Sequence, residues 1–297
     1  MKPIVIFTVD VEPDNCWQSP LGTGFESAHG LRRFHRLCSQ YGVRPTYLVT
    51  HSVAENRPYR LALLEMLRTG ECEIGAHPHL WEIPPQHPLD GEKRCATEYP
   101  EAVLEAKLDA LLRLLREEFG PVVSHRAGRW GFSAAHHRVL ERLGIRYDTS
   151  ITPGIDWRKS RGPDYRFASA KPHFIGEVIE VPCSIRRSWL PTWLIRPDSF
   201  NRKILGVKLT PEWLRLRRNS SNELMKSISK WAWARQGFAN MMTHSSEMIA
   251  GASPYWPSED SIAKVFRCYE QLFTFWRASG AEGLTLGEYG DRQRAGA

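Results

Sequence analysis

The amino-acid sequence predicts an α/β fold, a closed or nearly closed barrel with seven or eight parallel strands. Short apolar runs alternate with amphipathic helical patterns along the 297-residue chain, as expected for parallel βαβ units. No internal repeat or interdomain linker is visible, so one domain over residues 1–297 explains the length better than two smaller domains. Polar residues follow several predicted strands, which is where barrel enzymes hold their catalytic groups.

The first predicted strand covers residues 4–9, an apolar run rich in β-branched residues that is typical of a strand buried on both faces. Further strands are expected at residues 46–50, in the runs that end at His77 and Asp148, and at residues 177–182, 238–243 and 283–286. All of them are short, as buried strands of a parallel sheet usually are.

Helical spacing of apolar residues predicts the connecting helices. The first begins near Ser27 and ends at Gly42. Others are expected at about residues 60–68, 104–119 and 134–143, and after the N-cap Ser258. Residues 84–100 contain four prolines and predict a long loop on the same side as the histidines. Residues 186–235 are the least regular part, a basic, tryptophan-rich insertion.

Two histidines and two carboxylates follow predicted strands with the same two-residue spacing. His77 and His79 therefore share a face, and so do Asp10 and Glu12. Two histidines and one carboxylate leave a position for water in a catalytic zinc site. A second carboxylate can take the proton from that water. Asp10 and Glu12 supply the base and the ligand between them, and the spacing alone assigns neither role.

Two cationic or titratable residues complete the predicted chemistry. Arg126 follows another apolar run and could pair with the base and hold it ionised. His244 follows the strand at residues 238–243 and could protonate a leaving amine. Taken together, these residue types indicate metal-assisted hydrolysis of an amide or ester.

The motifs around these residues resemble the polysaccharide deacetylase family, the NodB-homology group within carbohydrate esterase family 4. The resemblance covers roughly residues 3–150 and 236–288 and implies a distorted (β/α) barrel. In the first motif, the stretch from Thr8 to Glu12 has Val11 where the family usually has its second aspartate. By the Asp-x-Asp pattern of some members, the resemblance implies that Asp10 is the base and Glu12 the metal ligand.

The other four motifs occur in the family's order. The family spaces its two histidines four residues apart, whereas here they are two apart, and Trp81 stands where the second histidine would fall. The third motif implies that Arg126 steadies the base. The fourth implies that Asp148 orients the catalytic histidine, and the fifth that His244 is the acid.

The leading functional prediction is a metal-dependent hydrolase, most simply a Zn²⁺ enzyme, that removes an acetyl or formyl group from a sugar nitrogen. Its substrate would be a carbohydrate, such as a cell-envelope polysaccharide or a glycolipid precursor. One alternative is an amidohydrolase acting on a small non-sugar amide such as a cyclic imide or ureide. Another is a catalytically inactive, deacetylase-like binding protein, which the departures at Val11 and Trp81 keep open. The many tryptophans favour sugar rings, which stack on aromatic faces.

The positive charge of the chain is concentrated in residues 186–218, where nine basic and two acidic residues give +7, the net charge of the whole chain. Basic residues among tryptophans predict peripheral contact with an anionic membrane. The alternative is a solvated insertion whose tryptophans pack on the barrel. No nucleic-acid motif is present, and the sequence indicates no oligomeric state.

The start of the sequence and its cysteines bear on localisation. The first apolar run is too short for a signal peptide, and the six cysteines lie far apart, unlike a disulfide scaffold. We therefore expect a cytoplasmic protein, with the inner face of the membrane as a further site of action.

Overall fold

A curled, mainly parallel sheet forms the centre of the molecule. The computed structural model describes residues 2–16, 24–91, 94–187, 211–218 and 220–296. The strands in chain order are β1 (Ile4–Val11), β2 (Pro45–Val49), β3 (Glu73–Ala76), β4 (Ser124–His125), β5 (Tyr147–Asp148), β6 (His173–Ile175), β7 (Val178–Glu180), β8 (Ile185–Arg186), β9 (Glu212–Trp213), β10 (Ala239–His244) and β11 (Glu282–Leu284).

The strand order of the main sheet is β10-β1-β2-β3-β4-β5-β7-β6, and β11 pairs with the start of β1. All these pairs are parallel except β6 with β7. Within the described residues this sheet therefore has eight parallel strands and one antiparallel strand, which confirms the predicted number. Strands β8 and β9 form a separate antiparallel pair.

The sheet curls until its two ends nearly meet. The Ser184 N–H donates to the Asn240 carbonyl at 3.0 Å. The Asn240 amide donates to the carbonyls of Val181 and Pro182 at 3.1 and 3.3 Å. Irregular chain after β7 thus joins β10, and the predicted distorted (β/α) barrel is confirmed.

Helices cover the outside of the sheet. Those in the described residues are α1 (Ser27–Tyr41), α2 (His51–Glu55), α3 (Arg57–Leu67), α4 (Glu101–Phe119), α5 (Ala134–Arg142), α6 (Asn222–Arg235), α7 (Glu259–Ala278) and α8 (Leu286–Ala295). The predicted boundaries hold where the sequence contains a cap. Gly42 ends α1 with a left-handed φ of 70°, and the Ser258 side chain caps the first turn of α7.

An aromatic layer fixes β1 against the two helices that flank it. The Phe7 ring lies 5.1 Å from that of Phe34 on α1 and 5.7 Å from that of Tyr269 on α7. All three side chains are buried, and each aromatic pair adds about 0.5–1.5 kcal/mol beyond its apolar burial. This packing holds the carboxyl end of β1, where Asp10 lies, in a rigid frame.

The described part of the predicted insertion is more regular than expected. Residues 222–235 form α6, and β9 pairs with β8. The Arg186 guanidinium binds the Glu212 carboxylate at 2.7 Å, and Trp213 is buried against the rings of Trp130 and Trp157. Tryptophan packing on the barrel therefore holds for Trp213.

Four of the nine basic residues and two of the three tryptophans behind the membrane prediction lie in residues 188–210, outside the described residues. The membrane contact of residues 186–218 stays a prediction. Within the described ranges, no helix is both long enough and apolar enough to span a bilayer.

Candidate active site

The carboxyl ends of β1, β3 and β10 surround one cavity of about 400 Å³. Asp10 and Glu12 lie at the end of β1, and His244 is the last residue of β10. His77 and His79 follow β3 directly. The structure therefore brings together the predicted carboxylates and histidines, because parallel strands present their ends on the same side of the sheet.

Glu12 and the two histidines form the first candidate metal group. The Glu12 Oε1 atom lies 3.0 Å from His77 Nε2 and 3.1 Å from His79 Nε2. All three residues are buried. Burial alone would raise the pKa of Glu12, but the neighbouring His244, His79 and His77 hold it well below its ordinary value.

The hydrogen bonds of His77 show that this group suits a cation. His77 Nδ1 lies 2.8 Å from the Arg126 carbonyl, which can only accept, so Nδ1 carries a proton. In its neutral form His77 then points the lone pair of Nε2 at the lone pairs of Glu12. A divalent metal between these atoms relieves that repulsion. The alternative without a metal is the imidazolium, which burial opposes but Asp10 and Glu12 favour by raising the pKa of His77. A backbone carbonyl that fixes the other ring nitrogen is also the usual support for a ligating histidine.

Asp10 is held by Arg126 on one side and faces the site on the other. Arg126 Nη1 donates to Asp10 Oδ1 at 2.6 Å, and Arg126 Nη2 donates to Thr8 Oγ1 at 2.6 Å. The Asp10 Oδ2 atom lies 3.9 Å from His77 Nε2 and 3.8 Å from His244 Nε2. Burial opposes ionisation of Asp10, but Arg126 and the two histidines lower its pKa below the ordinary value. Asp10 therefore stays ionised at neutral pH.

Glu12 fits the role of ligand better than Asp10 does. A second group of possible ligands contains Asp10, Glu12 and His244, so Glu12 belongs to both candidate metal groups. One oxygen of Asp10 is already occupied by Arg126. This geometry favours Glu12 as the ligand and Asp10 as the base, an assignment that sequence spacing alone leaves open.

A carboxylate that the sequence prediction did not include orients His244. His244 Nδ1 lies 2.8 Å from Glu247 Oε1, three residues further on in the turn after β10. Arg215 donates to the same carboxylate, and its Nη2 lies 2.9 Å from His244 Nδ1. Burial opposes ionisation of Glu247, but Arg215 and His244 lower its pKa to about 2. The only sequence signal for this role of Glu247 is that it lies in a polar stretch directly after a strand.

The expectation that Asp148 orients His244 is wrong. Asp148 ends β5, and its Oδ1 atom accepts from His125 Nδ1 at 2.6 Å and from Ser150 Oγ at 2.7 Å. The Ser150 hydroxyl in turn accepts from the Ala127 N–H at 2.8 Å, next to Arg126. Asp148 therefore supports the loop that carries Arg126, because β5 lies beside β4 and not beside β10.

Trp81, which departs from the family motif, and Gly128, two residues after Arg126, have defined contacts. The Trp81 ring stacks on His79 with centroids 4.5 Å apart. Gly128 lies so close to the histidine segment that an added Cβ would come within 2.4 Å of the Pro78 carbonyl oxygen and 2.9 Å of His79 Cδ2. Only glycine allows this approach. The loop after β4, which carries Arg126, and the histidine loop, the segment after β3 that carries His77 and His79, thus pack directly on each other.

The comparisons with known proteins identify a fold. No family model matches the chain, and no curated protein matches its sequence. Its structure is similar to one from Mycobacterium smegmatis assigned as a polysaccharide deacetylase. That match has a TM-score of 0.61 and 15% identity, and covers 99% of this chain and 91% of the other. The chain has the polysaccharide deacetylase fold.

Two further solved structures show how widely this fold is used. One from Parabacteroides distasonis, assigned as a glycoside hydrolase or deacetylase, matches with a TM-score of 0.62 and 13% identity over 99% of this chain and 71% of that one. The PuuE allantoinase matches with a TM-score of 0.60 and 12% identity over 99% and 91%. Because these proteins carry different activities, the function of this chain has to be argued from its own site.

Proposed function

We propose that this protein is a metal-dependent hydrolase that removes an N-acyl group from a sugar. The observation that carries the proposal is the arrangement of three groups around one cavity. The Glu12–His77–His79 group lies between an arginine-held carboxylate, Asp10, and a carboxylate-held imidazole, His244. Hydrolysis of an amide needs these three parts: an electrophile, a base for the attacking water, and an acid for the departing amine.

Each residue has a separate part in the proposed reaction. A divalent ion held by Glu12, His77 and His79 would supply Lewis acidity to the amide carbonyl and the water, and Zn²⁺ suits this donor set. Asp10 accepts the proton of the attacking water at Oδ2, while Arg126 keeps the carboxylate ionised beforehand. His244 gives a proton from Nε2 to the amine as it leaves, and Glu247 stabilises the imidazolium.

The walls of the cavity support a sugar substrate. Trp81, Trp130 and Trp157 all line it. The rings of Trp130 and Trp157 are nearly parallel, with an interplanar angle of 11° and centroids 6.4 Å apart. Flat aromatic faces suit the apolar faces of pyranose rings. These tryptophans favour an acylamino sugar over a small cyclic imide or ureide.

The test measures metal and hydrolysis separately. Purified protein supplied with Zn²⁺ is incubated with N-acetyl and N-formyl amino sugars and their oligomers, and with allantoin, and released acid and ureide hydrolysis are measured. We expect acetate or formate release by the wild type. Asp10→Asn should abolish it while metal content stays stoichiometric, because an amide cannot take the proton. His77→Ala should lose the metal as well.

The exposed His29 on α1 provides the matched control, since His29→Ala removes an imidazole that does not line the cavity. Its metal content and activity should equal those of the wild type. Full activity of Asp10→Asn, or turnover of allantoin alone, would contradict the proposal. Stoichiometric metal in His77→Ala would show that other residues bind the ion.

A further inference from the structure

A second cavity adjoins the catalytic one and shares part of its wall. It has a volume of about 290 Å³ and is lined by Arg215, Leu216, Arg217 and Tyr255. Arg215 and Tyr255 also line the catalytic cavity. A molecule bound beside His244 can therefore extend into the second cavity across the Arg215 side chain.

The two arginines of this second cavity differ in their partners. Arg215 binds the buried Glu247 carboxylate, which orients it and neutralises its charge. Arg217 has no carboxylate partner within the described ranges, and its guanidinium lies over the Trp213 ring at 5.6 Å. The Arg217 side chain is exposed where it lines this cavity, and its guanidinium stays protonated at neutral pH. The second cavity is thus lined by a guanidinium group, that of Arg217, which no carboxylate of the described residues neutralises.

Some other arginines of the molecule, unlike Arg217, bind a carboxylate. Arg158 binds Asp156 at 2.8 Å, and Arg292 binds Glu282 at 2.6 Å. Arg129 resembles Arg217, because it lines the catalytic cavity and has no carboxylate partner in the described part of the chain. Two uncompensated guanidinium groups therefore occur at the connected cavities, one in each.

We propose that the sugar substrate carries an anionic group, a phosphate or a carboxylate, and that Arg217 binds this group in the second cavity. This inference rests on the proposed hydrolysis of an acylamino sugar and narrows its substrate class. Guanidinium groups bind phosphate and carboxylate oxygens through strong, charge-assisted hydrogen bonds. The neighbouring tryptophans would hold the sugar ring while Arg217 fixes its charged end.

Kinetics with three related compounds test the proposal. The neutral methyl glycoside of N-acetylglucosamine is compared with N-acetylglucosamine 1-phosphate and with N-acetylglucosaminuronic acid. In the wild type, kcat/KM should be higher for at least one anionic compound than for the neutral one. The compound preferred, the phosphate or the uronate, identifies the source of the charge. In Arg217→Gln this preference should fall by about ten- to a hundredfold, the usual effect of one charged hydrogen bond.

Arg218 provides the matched control, since it is exposed like its neighbour Arg217 but does not line either cavity. Arg218→Gln removes the same charge from the same turn. If Arg217 acts by direct contact, only Arg217→Gln should reduce the preference. If Arg217→Gln and Arg218→Gln lower the preference for the anionic compounds equally, the preference comes from general electrostatic attraction and the proposed subsite is overturned.

Equilibrium binding separates this inference from the proposed activity. Binding of glucosamine 1-phosphate and glucosaminuronic acid, which have no acyl group to lose, is measured calorimetrically on the zinc-loaded protein. If these compounds bind more weakly to Arg217→Gln than to the wild type, and the wild type hydrolyses none of the acylated sugars, the subsite is supported and the proposed function is contradicted. Hydrolysis that is equally fast on charged and neutral sugars, with binding insensitive to Arg217→Gln, would overturn the subsite and leave the function standing.

Discussion

At the residue scale, the acid of the proposed reaction depends on Glu247. Its Oε1 atom lies 2.8 Å from His244 Nδ1 and also binds Arg215, so one group fixes both the ring orientation and the position of the arginine. With Nδ1 bound in this way, Nε2 is the ring nitrogen that faces Asp10 and the cavity. Proton delivery to a leaving amine requires this orientation.

We predict that Glu247→Gln lowers kcat without removing the metal. The amide can still accept a hydrogen bond from Nδ1 but cannot stabilise an imidazolium, so the loss should be no larger than the roughly 10²- to 10⁴-fold that a general acid supplies. KM should change little, because Glu247 is buried behind His244. Steady-state kinetics and metal analysis measure both effects, and Glu247→Asp should restore part of the rate.

Asp148→Asn is the informative comparison for this prediction. Asp148 contacts His125 and Ser150. Asp148→Asn should therefore lower the thermal unfolding temperature clearly while it changes kcat little. A larger kcat effect in Asp148→Asn than in Glu247→Gln, at equal stability, would mean that the motif-based assignment was right after all.

How well the sequence predicts each of these contacts depends on whether the contact is set by local chain geometry or by the arrangement of the whole sheet. The period-two geometry of a strand brings Asp10 and Glu12 to one face, and this could be read from sequence. The partner of Asp148 depends on which strand lies beside β5, and that neighbour is set by the whole sheet. The bond between His244 and Glu247 forms within a turn whose conformation has no distinctive residue pattern.

At the element scale, a buried lysine joins the histidine loop to α4. Lys107 is fully buried, and its Nζ donates to the Ile83 carbonyl at 2.5 Å and to Asp90 Oδ2 at 2.8 Å. Asp90 also accepts from the Tyr99 hydroxyl at 2.9 Å. The irregular segment after His79 is therefore held to the barrel by ionic and polar side-chain contacts. A strand at this position would be held by backbone hydrogen bonds instead.

We predict that Lys107→Met destabilises the protein by about 3–5 kcal/mol, because it leaves the carboxylate of Asp90 without its buried partner. Methionine keeps the length of the side chain and so separates charge from packing. Urea unfolding at neutral pH measures the effect. Adding Asp90→Asn to Lys107→Met should recover part of the loss, and a double variant less stable than the single one would contradict this explanation.

The helices show which elements a sequence can locate. α1 and α7 have long apolar stripes and local stop or start signals at Gly42 and Ser258, and their predicted positions are confirmed. α6 lies in a stretch rich in tryptophan and basic residues, and its periodicity was hidden by that composition. The short β8–β9 pair depends on contact between residues far apart in the chain, which no local pattern predicts.

At the scale of the whole molecule, the barrel closes over a buried cluster of acids and histidines. Asp148 on β5 and Glu180 on β7 are register partners in the sheet, and both are fully buried. Beside them His125 Nε2 lies 3.2 Å from His136 Nε2. Burial and the charge of Asp148 raise the pKa of Glu180 well above its ordinary value, so Glu180 is protonated where Asp148 is ionised.

This raised pKa makes the stability of the whole fold depend on pH. In the unfolded chain Glu180 ionises near its ordinary pKa of 4.5, whereas in the folded protein it keeps its proton to higher pH. Its contribution is therefore fully present below the unfolded pKa and is lost as pH rises through the folded pKa. Glutamine resembles the protonated acid and does not ionise.

We therefore predict that Glu180→Gln becomes more stable relative to the wild type as pH rises above about 4.5, by up to about 1.4 kcal/mol per pH unit until the folded pKa is reached. Urea unfolding at a series of pH values from mildly acidic to neutral measures the difference. Glu177→Gln, on a side chain that is 87% exposed, is the control and should follow the wild type throughout. Parallel stability curves for Glu180→Gln and the wild type would show that Glu180 is ionised in the folded barrel, with a counter-charge that compensates it.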